Sequence, residues 1–125
     1  MPFANMTSIS SRNIDFHQLK QLMDEKMLYL IDVREKSELL ETGTLPDSVN
    51  IPLAEVESAL QLSNDEFENK YSKNKPINTA TIVFSCRLGK RSEMAMQTAI
   101  KLGYTNVLNY SGGWNDWEKQ TQCSN

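Results

Sequence analysis

One cysteine of this chain stands among cations, in Cys86-Arg87-Leu88-Gly89-Lys90-Arg91-Ser92. A thiol is a nucleophile only as its thiolate, so its chemistry depends on whether its surroundings favour negative charge. Upstream lies Thr81-Ile82-Val83-Phe84-Ser85. This short apolar run, β-branched and aromatic, is the pattern of a strand covered on both faces. Downstream, Met94, Ala95, Ala99 and Leu102 return at helical spacing. Cys86 therefore sits in a tight loop between a strand and a helix. Loop N–H groups, the helix dipole and the cations Arg87, Lys90 and Arg91 all favour its thiolate there. The same geometry binds anions. One loop could supply both a nucleophile and a cradle for an anionic substrate. The competing reading is an inert core cysteine at a strand end. Three cations within five residues of a buried strand favour the chemical reading.

The elements that would position this loop follow in order. Residues 1–6 are expected to form a disordered leader, and Ile9 to belong to a short edge strand. Asn13 or Asp15 can cap a helix carrying Phe16, Leu19, Leu22 and Met23 on one face. Leu28-Tyr29-Leu30-Ile31-Asp32-Val33 is a second buried strand, closed by Asp32 and Arg34 and followed by a short helix over 36–41. Residues 42–47 carry turn chemistry. Val49-Asn50-Ile51 is a short strand ended by Pro52, and Leu53, Val56 and Leu60 are spaced as on a helix. Ser63 and Glu66 form a capping box for a helix with Phe67 and Tyr71. After the strand into Cys86, a helix over 91–102 ends at Gly103. Val107-Leu108-Asn109 is a last strand. Trp114 and Trp117 open a closing helix and are expected to pack as core. Strands that alternate with helices imply a parallel sheet covered on both faces, with ligands at the carboxyl ends of its strands.

At 125 residues the chain is expected to be a single domain over 7–119, with a flexible tail at 120–125. The net charge of −3 argues against nucleic acid as a partner. No apolar run approaches a membrane span, and the first fifteen residues lack an apolar signal core. Of the two cysteines, Cys123 lies in the polar tail, so a disulfide framework is not expected and a reducing, cytoplasmic setting is. His17 is the only histidine, so neither a metal-ligand cluster nor a local cysteine–histidine dyad is expected.

Four stretches of the chain, taken together, resemble the signatures of the rhodanese family. Cys86-Arg87-Leu88-Gly89-Lys90-Arg91 resembles its six-residue active-site loop. Ile31-Asp32-Val33-Arg34-Glu35 resembles its first signature, and residues 43–52, from Gly43 to Pro52, its second, with Thr44 where many members carry histidine. Leu102-Gly103-Tyr104-Thr105-Asn106-Val107, with Gly112-Gly113-Trp114 and Trp117, resembles its third. The match spans about residues 9–118, and the Lys90-Arg91-Ser92 ending is most similar to single-domain thiosulfate sulfurtransferases.

The resemblance implies a three-layer α/β fold with a parallel sheet of about five strands. It also implies a sulfur shuttle with ping-pong kinetics. The Cys86 thiolate would attack the outer sulfur of thiosulfate, release sulfite and keep a persulfide. A small thiol (glutathione or thioredoxin) or cyanide would then take the sulfur. No cofactor or metal is implied, and a monomer is expected. An adjacent cation and helix N-terminus can lower a cysteine pKa from about 8.5 into the range of roughly 3.5–7.5. N–H groups from Arg87, Leu88, Gly89, Lys90, Arg91 and Ser92 would cradle the anion, and Gly89 would allow a positive φ. Arg91, with Arg87 or Lys90, would bind the sulfonate. Asp32 and Arg34 would tie the strand end to nearby loops. Two rivals stand beside this reading. One is a cysteine-based phosphatase, whose loop in that family is one residue longer. The other is a non-catalytic docking module, a type that usually lacks the cysteine.

Overall fold

The apolar runs become the strands of one sheet: β1 (Asn13–Ile14), β2 (Tyr29–Asp32), β3 (Val49–Asn50), β4 (Thr81–Ser85) and β5 (Asn106–Tyr110). The computed structural model describes residues 12–122. All neighbouring strands pair in parallel, in the order β1-β5-β4-β2-β3. Successive side chains of a strand point to opposite faces, and the sequence uses both faces. Ile31, Ile82, Phe84 and Val107 enter one core, whereas Leu30, Val83 and Tyr110 enter the other.

Each core is closed by helices. The first takes Val56 and Ala59 from α3 (Val56–Ala59), Phe67 from α4 (Asn64–Tyr71), and Ala95, Met96 and Ala99 from α5 (Lys90–Lys101). The second takes Leu19 from α1 (Phe16–Asp24), and Trp114 and Trp117 from α6 (Gly113–Gln122). The remaining helix, α2 (Lys36–Thr42), buries none of its residues fully and follows β2 directly. A 3-10 turn (Leu53–Glu55) leads into α3. This is the three-layer parallel α/β architecture expected from the alternation of strands and helices.

Local chemistry explains the helix ends. Asp15 and Ser63 accept hydrogen bonds from the N–H groups of Gln18 and Glu66, and both complete capping boxes. A cap of this kind is worth about 1 kcal/mol. Gly103 takes φ 100° just past α5, the left-handed turn that ends a helix.

Some boundaries differ from expectation. The described edge strand is Asn13–Ile14. Ile9, the leader at 1–6 and Cys123 lie outside the described residues. The expected domain end at residue 119 falls inside α6, which runs to Gln122, so the first three residues of the expected tail are helical.

Candidate active site

Cys86 follows β4, the central strand, with β2 on one side and β5 on the other. This is the carboxyl end of a parallel sheet, where helix N-termini also gather. Gly89 caps α5 with φ 91° and ψ −8°, a conformation that favours glycine. A Cβ there would also collide with the carbonyl oxygen of Ser111. The turn aims donors at the thiol. The Gly89 N–H donates to Sγ at 3.0 Å and the Ser92 N–H at 3.4 Å. The Ser92 hydroxyl lies 3.3 Å from the same sulfur.

These contacts set the acidity of the thiol. Burial is the largest single influence and pushes the Cys86 pKa up, since the residue is only 1% exposed. The Ser92 hydroxyl and the N–H groups of Ser92, Gly89 and Leu88 together outweigh it, and the pKa lies below that of an ordinary thiol. A cradle of backbone dipoles therefore stabilises the thiolate inside the fold.

The loop is braced from behind. Trp114 N–H donates to the Cys86 carbonyl at 2.7 Å, and Asn115 N–H to the Arg87 carbonyl at 3.3 Å. Gly113 makes this approach possible, because a Cβ there would lie 2.5 Å from the carbonyl oxygens of both Cys86 and Arg87. Asn109, buried in β5, donates to the Gly89 carbonyl at 3.3 Å and to Asn13 at 3.0 Å.

The three cations are not equivalent. Arg91 makes a two-pronged pair with Glu38 of α2, at 2.7 and 3.0 Å. Arg87 Nε approaches the same carboxylate at 3.6 Å. Hydrogen bonding from Arg91 is the main cause that lowers the Glu38 pKa to about 2. Lys90 is exposed and has no ion pair among the described residues. Leu88 stands 66% exposed at the loop tip.

Asp32 and Arg34 form a second, closed pair. Arg34 Nη2 lies 2.7 Å from Asp32 Oδ2, and both side chains are fully buried. The guanidinium also donates to Thr42 Oγ1 at 2.9 Å and to the Gly43 carbonyl at 3.3 Å. It lies over the Trp114 ring, 5.1 Å from its centroid. The pair thus joins the end of β2 to the loop after α2 and to α6.

Sequence reasoning assigned no role at the site to Glu38, Asn109 or Gly113. Gly113 carried a signal, as a glycine beside Trp114. Glu38 carried only a partial one, as the third helical residue after Glu35, where its carboxylate accepts from the Glu35 N–H at 2.9 Å. Clefts of about 260 and 290 Å³ lie around Leu30 and Lys73 and around Asn50 and Lys70, and no residue from Cys86 to Ser92 lines either. Among the described residues, no group of three or more histidine, cysteine or acidic side chains is placed to hold a metal ion.

A parallel three-layer fold that presents a thiol cradled by N–H donors at the end of its central strand is a frame in which a cysteine nucleophile could work. Comparison with known proteins narrows this reading. The family profile described as "Rhodanese-like domain" matches residues 15–120. The chain is 45% identical over 106 residues to the mouse thiosulfate sulfurtransferase/rhodanese-like domain-containing protein 3, covering 85% of this chain and 68% of that one. It is 39% identical over 110 residues to human thiosulfate:glutathione sulfurtransferase, covering 86% of this chain and 95% of that one. The solved structure of the human single-domain sulfurtransferase TSTD1 superposes with a TM-score of 0.84 at 37% identity, covering 87% of this chain and 96% of that one. The chain belongs to the rhodanese-like domain family. The names of these relatives support a sulfurtransferase activity. Among the described residues no helix is long and apolar enough to cross a membrane.

Proposed function

We propose that the protein moves sulfane sulfur from thiosulfate to a small thiol or cyanide through a persulfide on Cys86. The observation that carries this reading is the set of donors converging on Cys86 Sγ from Gly89 and Ser92. A thiolate held in this way can attack without a neighbouring base. It attacks the outer sulfur of thiosulfate, the S–S bond breaks, and sulfite leaves with the electron pair. The outer sulfur of the persulfide then carries the negative charge, and the Gly89 and Ser92 N–H groups that donate to Sγ are candidates to stabilise it. The acceptor thiolate removes that sulfur and regenerates the Cys86 thiolate. Glutathione or thioredoxin suits the acceptor role, and the enzyme acts as a monomer. The cytoplasm is the proposed compartment, since a lone catalytic thiol needs a reducing environment. Imaging a fluorescent fusion against a mitochondrial dye checks that placement.

Intact-mass spectrometry after incubation with thiosulfate tests the reaction. The expected result is one added sulfur atom, lost again on addition of glutathione or cyanide. Cys86→Ser is expected to abolish both the added sulfur and turnover while circular dichroism stays native. An unmodified wild-type protein, or substantial turnover by the serine variant, overturns the proposal.

A further inference from the structure

Glu38 neutralises the side chains best suited to bind an anionic donor. Its two carboxylate oxygens accept from Arg91 at 2.7 and 3.0 Å, and Arg87 approaches one of them at 3.6 Å. The carboxylate is also held by the Glu35 N–H at 2.9 Å, so the start of α2 fixes its position. With its pKa lowered to about 2 by the Arg91 bond, Glu38 is ionised throughout the working range of an enzyme. A sulfonate that used Arg91 in two-pronged fashion would have to take the place of this carboxylate. The thiol cradle itself is built from N–H groups and the Ser92 hydroxyl and uses neither arginine.

We propose that Glu38 is the donor-specificity residue of the site. By occupying Arg87 and Arg91 it holds down the affinity for dianionic thiosulfate and leaves the cradle open to donors with no sulfonate, such as organic hydropersulfides. The two half-reactions differ in the leaving group and in whether the transferred sulfur carries a proton. With thiosulfate, Cys–S⁻ and ⁻S–SO₃⁻ give Cys–S–S⁻ and SO₃²⁻. With a hydropersulfide, Cys–S⁻ and R–S–SH give Cys–S–SH and R–S⁻. In both, the new bond joins Cys86 Sγ to the donor's outer sulfur, and the old S–S bond leaves its electron pair on the departing group. Only the first brings two negative charges to the rim, so only the first competes with Glu38.

This inference rests on the sulfur-transfer reading above, and its test separates the two. The rate of Cys86 persulfidation is measured with thiosulfate and with cysteine hydropersulfide, for the wild type, Glu38→Gln and Glu38→Asp. Glutamine keeps an oxygen for the Glu35 N–H but drops the charge. The expected result is a ratio of kcat/KM, thiosulfate over hydropersulfide, that rises about tenfold or more in Glu38→Gln, chiefly through a lower KM for thiosulfate. Glu38→Asp, which keeps the charge, should stay closer to the wild-type ratio. A purely structural role would change both donors by one factor, because it acts on the shared nucleophile. A ratio unchanged in Glu38→Gln, or equally shifted in both variants, overturns the inference. Failure of the wild type to accept sulfur from either donor overturns the sulfur-transfer reading instead.

Discussion

Two arginine–carboxylate pairs flank the same loop and have opposite physical characters. Arg34 and Asp32 are closed away from water, and every contact of the guanidinium is internal. Arg91 and Glu38 are at the rim, with side chains 34% and 20% exposed. Burial decides what each can do. A buried pair that loses one member leaves a bare charge in a medium that solvates it poorly. A rim pair can exchange one partner for water or for a substrate anion at little cost. We therefore propose the inner pair as scaffold and the outer pair as the part of the site that responds to a ligand.

The largest effect should come from breaking the inner pair. Asp32→Asn keeps the shape but leaves Arg34 buried without a counter-charge. It should lower stability by about 3–5 kcal/mol, read as a fall in the urea midpoint. A loss under about 1 kcal/mol would show that the inner pair behaves like a surface pair, and the contrast would fail.

The rim pair should show the reverse pattern, with little effect on folding and a clear one on chemistry. Arg91→Ala should change stability by about 1 kcal/mol or less. It should reduce kcat/KM for thiosulfate by roughly tenfold to a hundredfold, because a charge-assisted partner for the donor is gone and Glu38 is left less neutralised. Removing Glu38 as well should restore part of the loss, a coupling visible in a double-mutant cycle. Additive effects of the two substitutions would mean that the side chains do not share one anion site.

The inner region was more legible in the sequence than the rim. Asp32 and Arg34 are two residues apart at a strand end, and buried charges are normally paired. The strand, loop and helix around Cys86 are equally local, written in apolar runs and one glycine. The Arg91–Glu38 pair spans 53 residues. It exists because β4 lies directly beside β2, which brings α2 up against the loop. No local pattern encodes that strand order, so Arg91 reads in sequence as a free cation. Asn109 was hidden for the same reason, since its contact with Gly89 depends on β5 pairing with β4.

The smallest predicted effect concerns the cradle that neither pair touches. Ser92 is fully buried, and its hydroxyl lies 3.3 Å from Cys86 Sγ. Burial drives the thiol pKa up, and this hydroxyl is the largest influence that lowers it. Ser92→Ala removes that bond and keeps the Ser92 and Gly89 N–H donors. The thiolate is present above the Cys86 pKa and lost as pH falls through it. A higher pKa therefore moves the acid limb of both turnover and iodoacetamide alkylation toward higher pH. One hydrogen bond of about 1 kcal/mol corresponds to alkylation about fivefold slower on that limb. Well above the limb, where both proteins are ionised, the two rates should converge. A limb that stays in place would mean that the hydroxyl accepts from the thiol and does not donate to the thiolate. In that case the backbone N–H groups alone would hold Cys86 ionised.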